Sequence, residues 1–588
     1  MHRILVGVAS LAVAFGGVAT PASATPVWSA PVAISSLGAA ETYRATETVP
    51  DGHAATTVWS IVSGNNAGIT FASTSNDSGA TWSARKILYL TPSVPAVAIS
   101  TTGERIVAVL QVAGRIVVQR STDSGRTWLS LNRLIPITND LAVGNATAFS
   151  LDASPDAMTL MVSWLGKGAN GVQLVYSSRS TDGGATWSAA TAISSARAIA
   201  KAPVMDMSAD GTRAVIAYLQ HPIGGTEALY SRSTSDGGQT WSVERKVSLI
   251  GHTASHPTVA LADTTDSAWL MWADRTNASP TIFGVHSDTS GRTWSGARTI
   301  SANGSIALFP EVQLVPDGSR GIAIWLQDVQ GSPEMYATTL NGDTMQWSAA
   351  IAIGPGIVAT GGEGVMPDLS MSSSARIAAV AWTSMFNDST SVAISTTLDG
   401  GSTWASTRSP APALNLQAAP QIAMSGDGAL TFLSELAAVN TESVDIPLYM
   451  SVMTQSGDVD PNGGAGGGGA NGGQAAAVLI PQTATVTFPA RLKRHGWSRV
   501  LKLPITTNAG QAVTVTAAAV IKKTHATASR RDFRTKIKHN GTANVFKIRL
   551  SGRKALNVSV VVTAPETAVY DDFAVAKGYD MKKSRRWH

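Results

Sequence analysis

An eight-residue phrase, Ser-x-Asp-x-Gly-x-Thr-Trp, is written repeatedly along this chain and limits what the chain can fold into. It stands at 75–82, 121–128, 180–187, 234–241 and 397–404, and in worn form at 287–294 and 339–347. The spacing between copies is filled by short apolar or alternating segments. A first segment often opens on proline (Pro95, Pro203, Pro257, Pro310, Pro367, Pro420), and a second often closes on tryptophan (Trp59, Trp164, Trp272, Trp325, Trp382). Turns such as Asp210-Gly211 and Asp317-Gly318 separate them. A period of roughly 50 residues carrying four strands describes a propeller blade, which cannot bury both faces without neighbours. Helical periodicity is hard to find, and only 14% of residues are charged, as short strands joined by many turns require.

Eight such units can be counted, opening near Tyr43, Pro95, Asn145, Ala202, His256, Phe309, Met366 and Ala419. The last has neither the phrase nor a fourth strand after it. The N-terminus supplies the missing piece: Trp28-Ser29-Ala30-Pro31-Val32-Ala33-Ile34-Ser35 reads like Trp187-Ser188-Ala189-Ala190-Thr191-Ala192-Ile193-Ser194, a fourth strand with no unit before it. Pairing the two closes the ring and removes its free sheet edges. The expected fold is therefore all-β, a propeller over 27–454 with eight blades favoured and seven as the alternative, since the second unit is short.

Within the phrase, Asp182 is suited to accept backbone N–H groups of its turn, Gly184 to adopt positive φ, and Trp187 to pack the hairpin against the blade. The same structural parts fall to Asp77, Asp123, Asp236 and Asp399 and to Trp82, Trp128, Trp241, Trp294 and Trp404. The pattern resembles the Asp-box (BNR) repeat of sialidase-like β-propellers over about 28–453. That resemblance places the phrase on the rim, opposite the end where such propellers bind, so ligand contacts are expected from the loops joining second to third strands and blade to blade. The candidates there are Gln220, His221, Trp272, Asp274, Trp325, Asp328 and Asp388.

Sialidases also use three arginines, a Tyr–Glu pair and an acidic Asp. Tyr43-Arg44-Ala45-Thr46 before Asp51-Gly52 matches the tyrosine, arginine and turn of the family's first arginine motif but lacks its Ile-Pro. Arg275 is the second candidate, and Glu311 or Glu363 with Tyr336 the candidate base and nucleophile. Arg120, Arg179 and Arg232 recur just before the phrase and belong to the rim. The reading from these residues is a propeller that binds a glycan or surface protein. The alternative is a divergent exo-α-sialidase-like glycoside hydrolase.

The ends carry separate information. Residues 1–24 combine His2 and Arg3, an apolar run and Ala22-Ser23-Ala24, which reads as a cleaved secretory signal. The run is broken by Gly16 and Gly17 and falls short of the roughly 20 residues a bilayer span needs. No cysteine is present, so neither disulfides nor thiolate metal sites stabilise an exported product. The net charge of +5 splits unevenly: 481–588 holds 21 Lys plus Arg against 5 Asp plus Glu, or +16, and the rest of the chain carries −11.

A Gly-rich tether at 455–477 leads to a basic segment, 478–588, read as a small β-sandwich, similar to modules that end many exported actinobacterial proteins. Asp458-x-Asp460-x-Asn462-Gly463 imitates the start of a calcium loop, but Gly469 stands where a bidentate Glu belongs. No cofactor or metal is expected, with calcium as the minor alternative. The expected partners are a surface glycan or protein for the ring and anionic wall polymer or membrane headgroups for the basic end. Nucleic acid is disfavoured because no reading motif accompanies the charge. A secreted or wall-associated monomer results.

Overall fold

The computed structural model describes residues 27–455 apart from loop segments, the longest being 138–148, 357–366, 409–416 and 438–447, and beyond them eight strands between 484 and 581. The leader, the tether with its calcium-like phrase, and the basic stretches 522–531 and 582–588 lie outside the described residues.

No helix occurs among the described residues, and none is long and apolar enough to cross a membrane. Eight antiparallel sheets follow one another around a ring. Seven are built from consecutive strands, over 39–89, 94–136, 149–192, 198–246, 254–299, 306–355 and 368–408. The eighth, over 417–454, borrows its outer strand from the N-terminus. Val27–Trp28 and Val32–Ala33 both pair with Leu448–Thr454, with Trp28 opposite Met453 and Val32 opposite Met450. Ser29 N donates to the Val452 carbonyl at 2.8 Å, and Val452 N donates back to Ser29 Oγ at 3.0 Å. The propeller has eight blades, closed as the orphan fourth strand requires, and the seven-blade alternative is set aside.

Each blade presents two apolar faces because its middle strand is apolar at nearly every position: Ala268–Asp274 is buried throughout. The cores therefore lie between blades. Phe309, Ile324, Leu326, Leu369, Val380 and Trp382 fill the gap between the sixth and seventh, and Trp269, Met271, Val312 and Trp325 the gap between the fifth and sixth. Trp59 and Phe71 meet Leu436 and Leu448 across the closure. A buried aromatic of this size is worth about 3 to 5 kcal/mol against truncation. Deleting the tryptophan at the end of a middle strand would therefore loosen two blades at once.

The repeated phrase forms the same turn at each full copy. Ser180 Oγ donates to Asp182 Oδ1 at 2.8 Å and accepts Gly184 N at 2.9 Å, while Thr186 donates its N to Oδ1 at 2.8 Å and its Oγ1 to Oδ2 at 2.6 Å. Asp77, Asp123, Asp236 and Asp399 hold equivalent sets. The worn copy at 287–294 replaces the aspartate with Thr289, whose Oγ1 accepts Thr293 N at 3.0 Å. The tryptophan of the phrase reaches the preceding blade. Trp82 lies edge-on to Phe432, Trp347 edge-on to Trp269, and Trp294 Nε1 donates to Ser231 Oγ at 2.9 Å. The glycine makes that approach possible: at Gly79, with φ +81°, an added Cβ would sit 2.3 Å from Val452 Cγ2 of the preceding blade.

Beyond residue 484 the strands form two further sheets. Ala484–Val486, Ser498–Thr507, Val545–Gly552 and Phe533–Asn540 are hydrogen-bonded in that order, with Lys493–His495 also on Ser498–Thr507. Thr514–Ile521, Leu556–Ala564 and Phe573–Met581 make the second.

Candidate functional site

The inner strands of the ring carry carboxylates that alternate with apolar residues and line the axis. Most of them reach a backbone N–H of the next blade. Asp152 Oδ2 accepts Met207 N at 2.7 Å, Asp206 Oδ2 accepts Leu261 N at 2.7 Å, Glu311 Oε2 accepts Leu369 N at 3.1 Å, and Asp368 Oδ2 accepts Ile422 N at 2.7 Å. Polar side chains continue the pattern: Met424 N donates to Ser370 Oγ, and Gln421 Nε2 to the Arg44 carbonyl across the closure. A polar axial cavity of about 260 Å³ remains, bordered by Thr46, Glu47, Gln313, Asp368, Ser370 and Gln421.

Enclosure by the ring disfavours the charged form of all these acids. Glu47 borders the axial cavity with a solvent-exposed side chain, and the protein around it, then the charge of Asp368, pushes it up to about 8. Desolvation lifts Asp368 to about 7 despite the Ile422 N–H and the nearby Arg44 guanidinium. Glu311 is driven well above the usual carboxylate range by burial and then by Asp368. Asp152 is raised to about 6 by burial, and Asp206 well above its ordinary value by burial and then by Asp152, with which it shares a hydrogen bond. Asp152, Asp206, Glu311 and Asp368 each commit one oxygen to the joint with the next blade, while Glu47 borders the axial cavity. Among the described residues no group of three or more His, Asp or Glu is arranged to hold a metal ion.

The opposite character appears at the open end of the fourth and fifth blades. His252 Nδ1 meets Asp274 Oδ2 at 2.9 Å, and Asp274 Oδ1 accepts Thr276 N at 3.0 Å. Lys201 Nζ stands 3.0 Å from Glu227 Oε1. Backbone bonds tie these loops together: Ala254 N to the Glu227 carbonyl and Arg275 N to the Thr253 carbonyl, at 3.0 and 2.8 Å. Arg275 and His221 are exposed beside them. His256, held at φ +48° before Pro257, packs edge-on against Phe309. Burial, then Arg275, lowers its proton affinity. Cations and imidazoles therefore cluster on one side of the mouth, with the buried Asp274 orienting His252.

The remaining sequence candidates distribute differently. Trp272 and Trp325 are fully buried, stacked on Phe283 and Tyr336, so they support the blades and offer no ring to a sugar. Gln220 is buried and donates to Glu244 Oε1 at 3.0 Å, which also accepts the Tyr218 hydroxyl at 2.8 Å. Asp328 accepts Gly331 N within its own loop. Glu363 and Asp388 lie outside the described residues.

The catalytic candidates are not brought together. Glu311 is on the first strand of its blade and Tyr336 on the third, with Arg320–Val329 between them, and the Tyr336 hydroxyl lies 3.4 Å from Glu334. Arg44 is buried on the first blade, donating to Ser434 Oγ, while Arg275 projects from the fifth, across the ring. Glu47, Asp152 and Asp206 escaped sequence reasoning. Their signal was an acid in an inner strand shortly before a Ser-x-Asp or Pro-Asp turn.

No family model matches the chain, and no curated protein matches it. Among solved structures, an α-L-arabinofuranosidase from Fusarium graminearum in complex with an iminosugar inhibitor is 12% identical with a TM-score of 0.36, over 73% of this chain and 98% of that one. An α-L-arabinanase of Penicillium chrysogenum complexed with arabinobiose is 13% identical with a TM-score of 0.32, over 63% and 98%. An ulvan lyase is 10% identical with a TM-score of 0.38, over 71% and 94%. Likeness at this level carries no argument about activity, and the propeller itself rests on the sheet order above.

Proposed function

We propose that this chain is an exported propeller that binds an acidic glycan at the open end of its fourth and fifth blades and does not hydrolyse it. The observation that carries the reading is a division of labour. Asp152, Asp206, Glu311 and Asp368 each give an oxygen to a neighbouring backbone N–H, whereas Lys201, paired with Glu227, and His252, paired with Asp274, stand with the exposed His221 and Arg275 at one part of the mouth. Convergent polar groups at a ring mouth are a reasonable glycan surface. The leader-like N-terminus supports export.

A glycan array probed with the full chain, followed by titration of the best acidic glycan, tests this directly. Arg275→Ala is expected to weaken binding about tenfold, the worth of one charge-assisted hydrogen bond pair, while the melting temperature stays unchanged. Turnover of a fluorogenic sialoside that disappears in Arg44→Ala, with the fold intact, would overturn the non-catalytic reading in favour of a sialidase-like hydrolase.

A further inference from the structure

The worn copy of the repeated phrase, at 287–294, borders a groove of about 510 Å³ between the turns of the fourth and fifth blades. That volume falls in the range of small-molecule sites. Trp241, Val243 and Arg245 of the fourth blade form one wall, and Thr289 and Arg292 of the fifth the other. At its floor, Arg213 Nη1 lies 3.4 Å from Asp266 Oδ1, which also accepts Ser290 Oγ at 2.6 Å, and the same guanidinium donates to the Asp263 and Thr265 carbonyls. Arg213 thus balances Asp266, the one acid that borders the groove among the described residues.

Two exposed arginines are left over. Arg245 donates Nε to the Arg292 carbonyl at 3.1 Å, which joins the two walls and leaves the terminal nitrogens of its fork for another acceptor. The Arg292 guanidinium has no partner among the described residues. The worn turn sustains this excess of positive charge. Thr289 stands where the full copies carry aspartate, and it keeps the turn: its Oγ1 accepts Thr293 N at 3.0 Å and meets Thr293 Oγ1 at 2.8 Å. The adjacent Asp288 is engaged by His286 Nε2 at 3.4 Å and does not border the groove.

The corresponding groove between the sixth and seventh blades, about 750 Å³, shows that the fold does not require such a charge. It has Arg320 in the place of Arg213, but Asp399 in the place of Thr289, and Asp343 borders it as well. Ser402 takes the place of Arg292. A lost carboxylate and two uncompensated guanidinium groups therefore coincide in one groove. Guanidinium forks match planar carboxylates in two parallel hydrogen bonds. The walls suit a sugar: Val243, 70% exposed, adjoins the half-buried Trp241 as an apolar patch, and the exposed Ser235 and Thr240 bring hydroxyls. Thr240 Oγ1 already donates to Asp236, so toward a ligand it acts as an acceptor for sugar hydroxyls.

We propose that this groove is a second glycan site, separate from the mouth, that takes a uronate sugar with its carboxylate on Arg245 and Arg292. The proposal does not depend on the ligand of the mouth.

The test titrates the full chain with oligogalacturonate in an Arg275→Ala background, where binding at the mouth is already weakened. Arg292→Gln is expected to lower the remaining affinity about tenfold, with an unchanged melting temperature because the side chain holds no partner in the protein. Thr289→Asp, which restores the aspartate of the full copies, is expected to weaken binding at least as much while the melting temperature matches or exceeds the parent's. Neutral oligogalactose should bind at least about tenfold more weakly than the acidic probe. Equal affinity of the background protein and its Arg292→Gln and Thr289→Asp variants for oligogalacturonate would overturn the proposal, as would oligogalactose bound equally well. A sulfated dextran bound more tightly than oligogalacturonate would overturn the choice of a carboxylate.

Discussion

Gly79 shows how little space separates the blades. Its φ of +81° suits glycine, and the missing Cβ leaves room for Val452 of the preceding blade. Gly79→Ala is therefore expected to destabilise the protein by about 1 to 3 kcal/mol, combining backbone strain with overpacking. Gly296→Ala, with nothing within 4 Å of the added Cβ, should be near neutral. Urea unfolding of both variants decides the point, and equal midpoints would refute the packing account. The turn chemistry of Asp182, Ser180 and Thr186 could be read in the sequence because all its partners lie within four residues. The destination of the tryptophan could not: Trp294 reaches Ser231, 63 residues back, a contact set by ring geometry and absent from any local pattern.

At the scale of elements, the short N-terminal strands bear most on integrity, because they cover the edge of Leu448–Thr454. Their identity was legible since Trp28-Ser29 copies the Trp-Ser that opens five of the other seven fourth strands. The inner strands were only half legible. Their apolar alternation and prolines could be read, but the acids they carry bond to the next blade some 55 residues away. Removing 27–35 is expected to expose an unpaired edge, lower the melting temperature and produce concentration-dependent association, read by light scattering. Trp28→Ala, which keeps the strand but loses a half-buried ring packed against the last interblade core, should cost less, about 1 to 3 kcal/mol. A truncated chain that stays monomeric with the parent's melting temperature would contradict the closure role.

For the whole molecule, the axis makes a prediction about pH. Glu47, Asp152 and Asp368 are raised to about 8, 6 and 7, and Asp206 and Glu311 well above their ordinary values, so the folded ring holds more protons than the unfolded chain between about pH 4 and 8. Stability present below the unfolded values is lost as pH rises through the folded ones. Two effects oppose this on the acid side. Burial lowers the proton affinity of His256 and His286, which penalises the fold as pH falls below about 6.5. The rim aspartates, held low by their turn hydrogen bonds, lose their contribution as pH falls below about 4. Stability should therefore peak on the mildly acidic side, near pH 5, and decline toward pH 8.5. Glu311→Gln, which keeps a side-chain oxygen for Leu369 N while removing one buried acid and its repulsion with Asp368, is expected to flatten that decline. Urea midpoints at pH 5 and 8.5 for both proteins measure it. A parent more stable at pH 8.5 than at pH 5 would mean that the axial acids are ionised in the folded ring and that cations or solvent compensate them there.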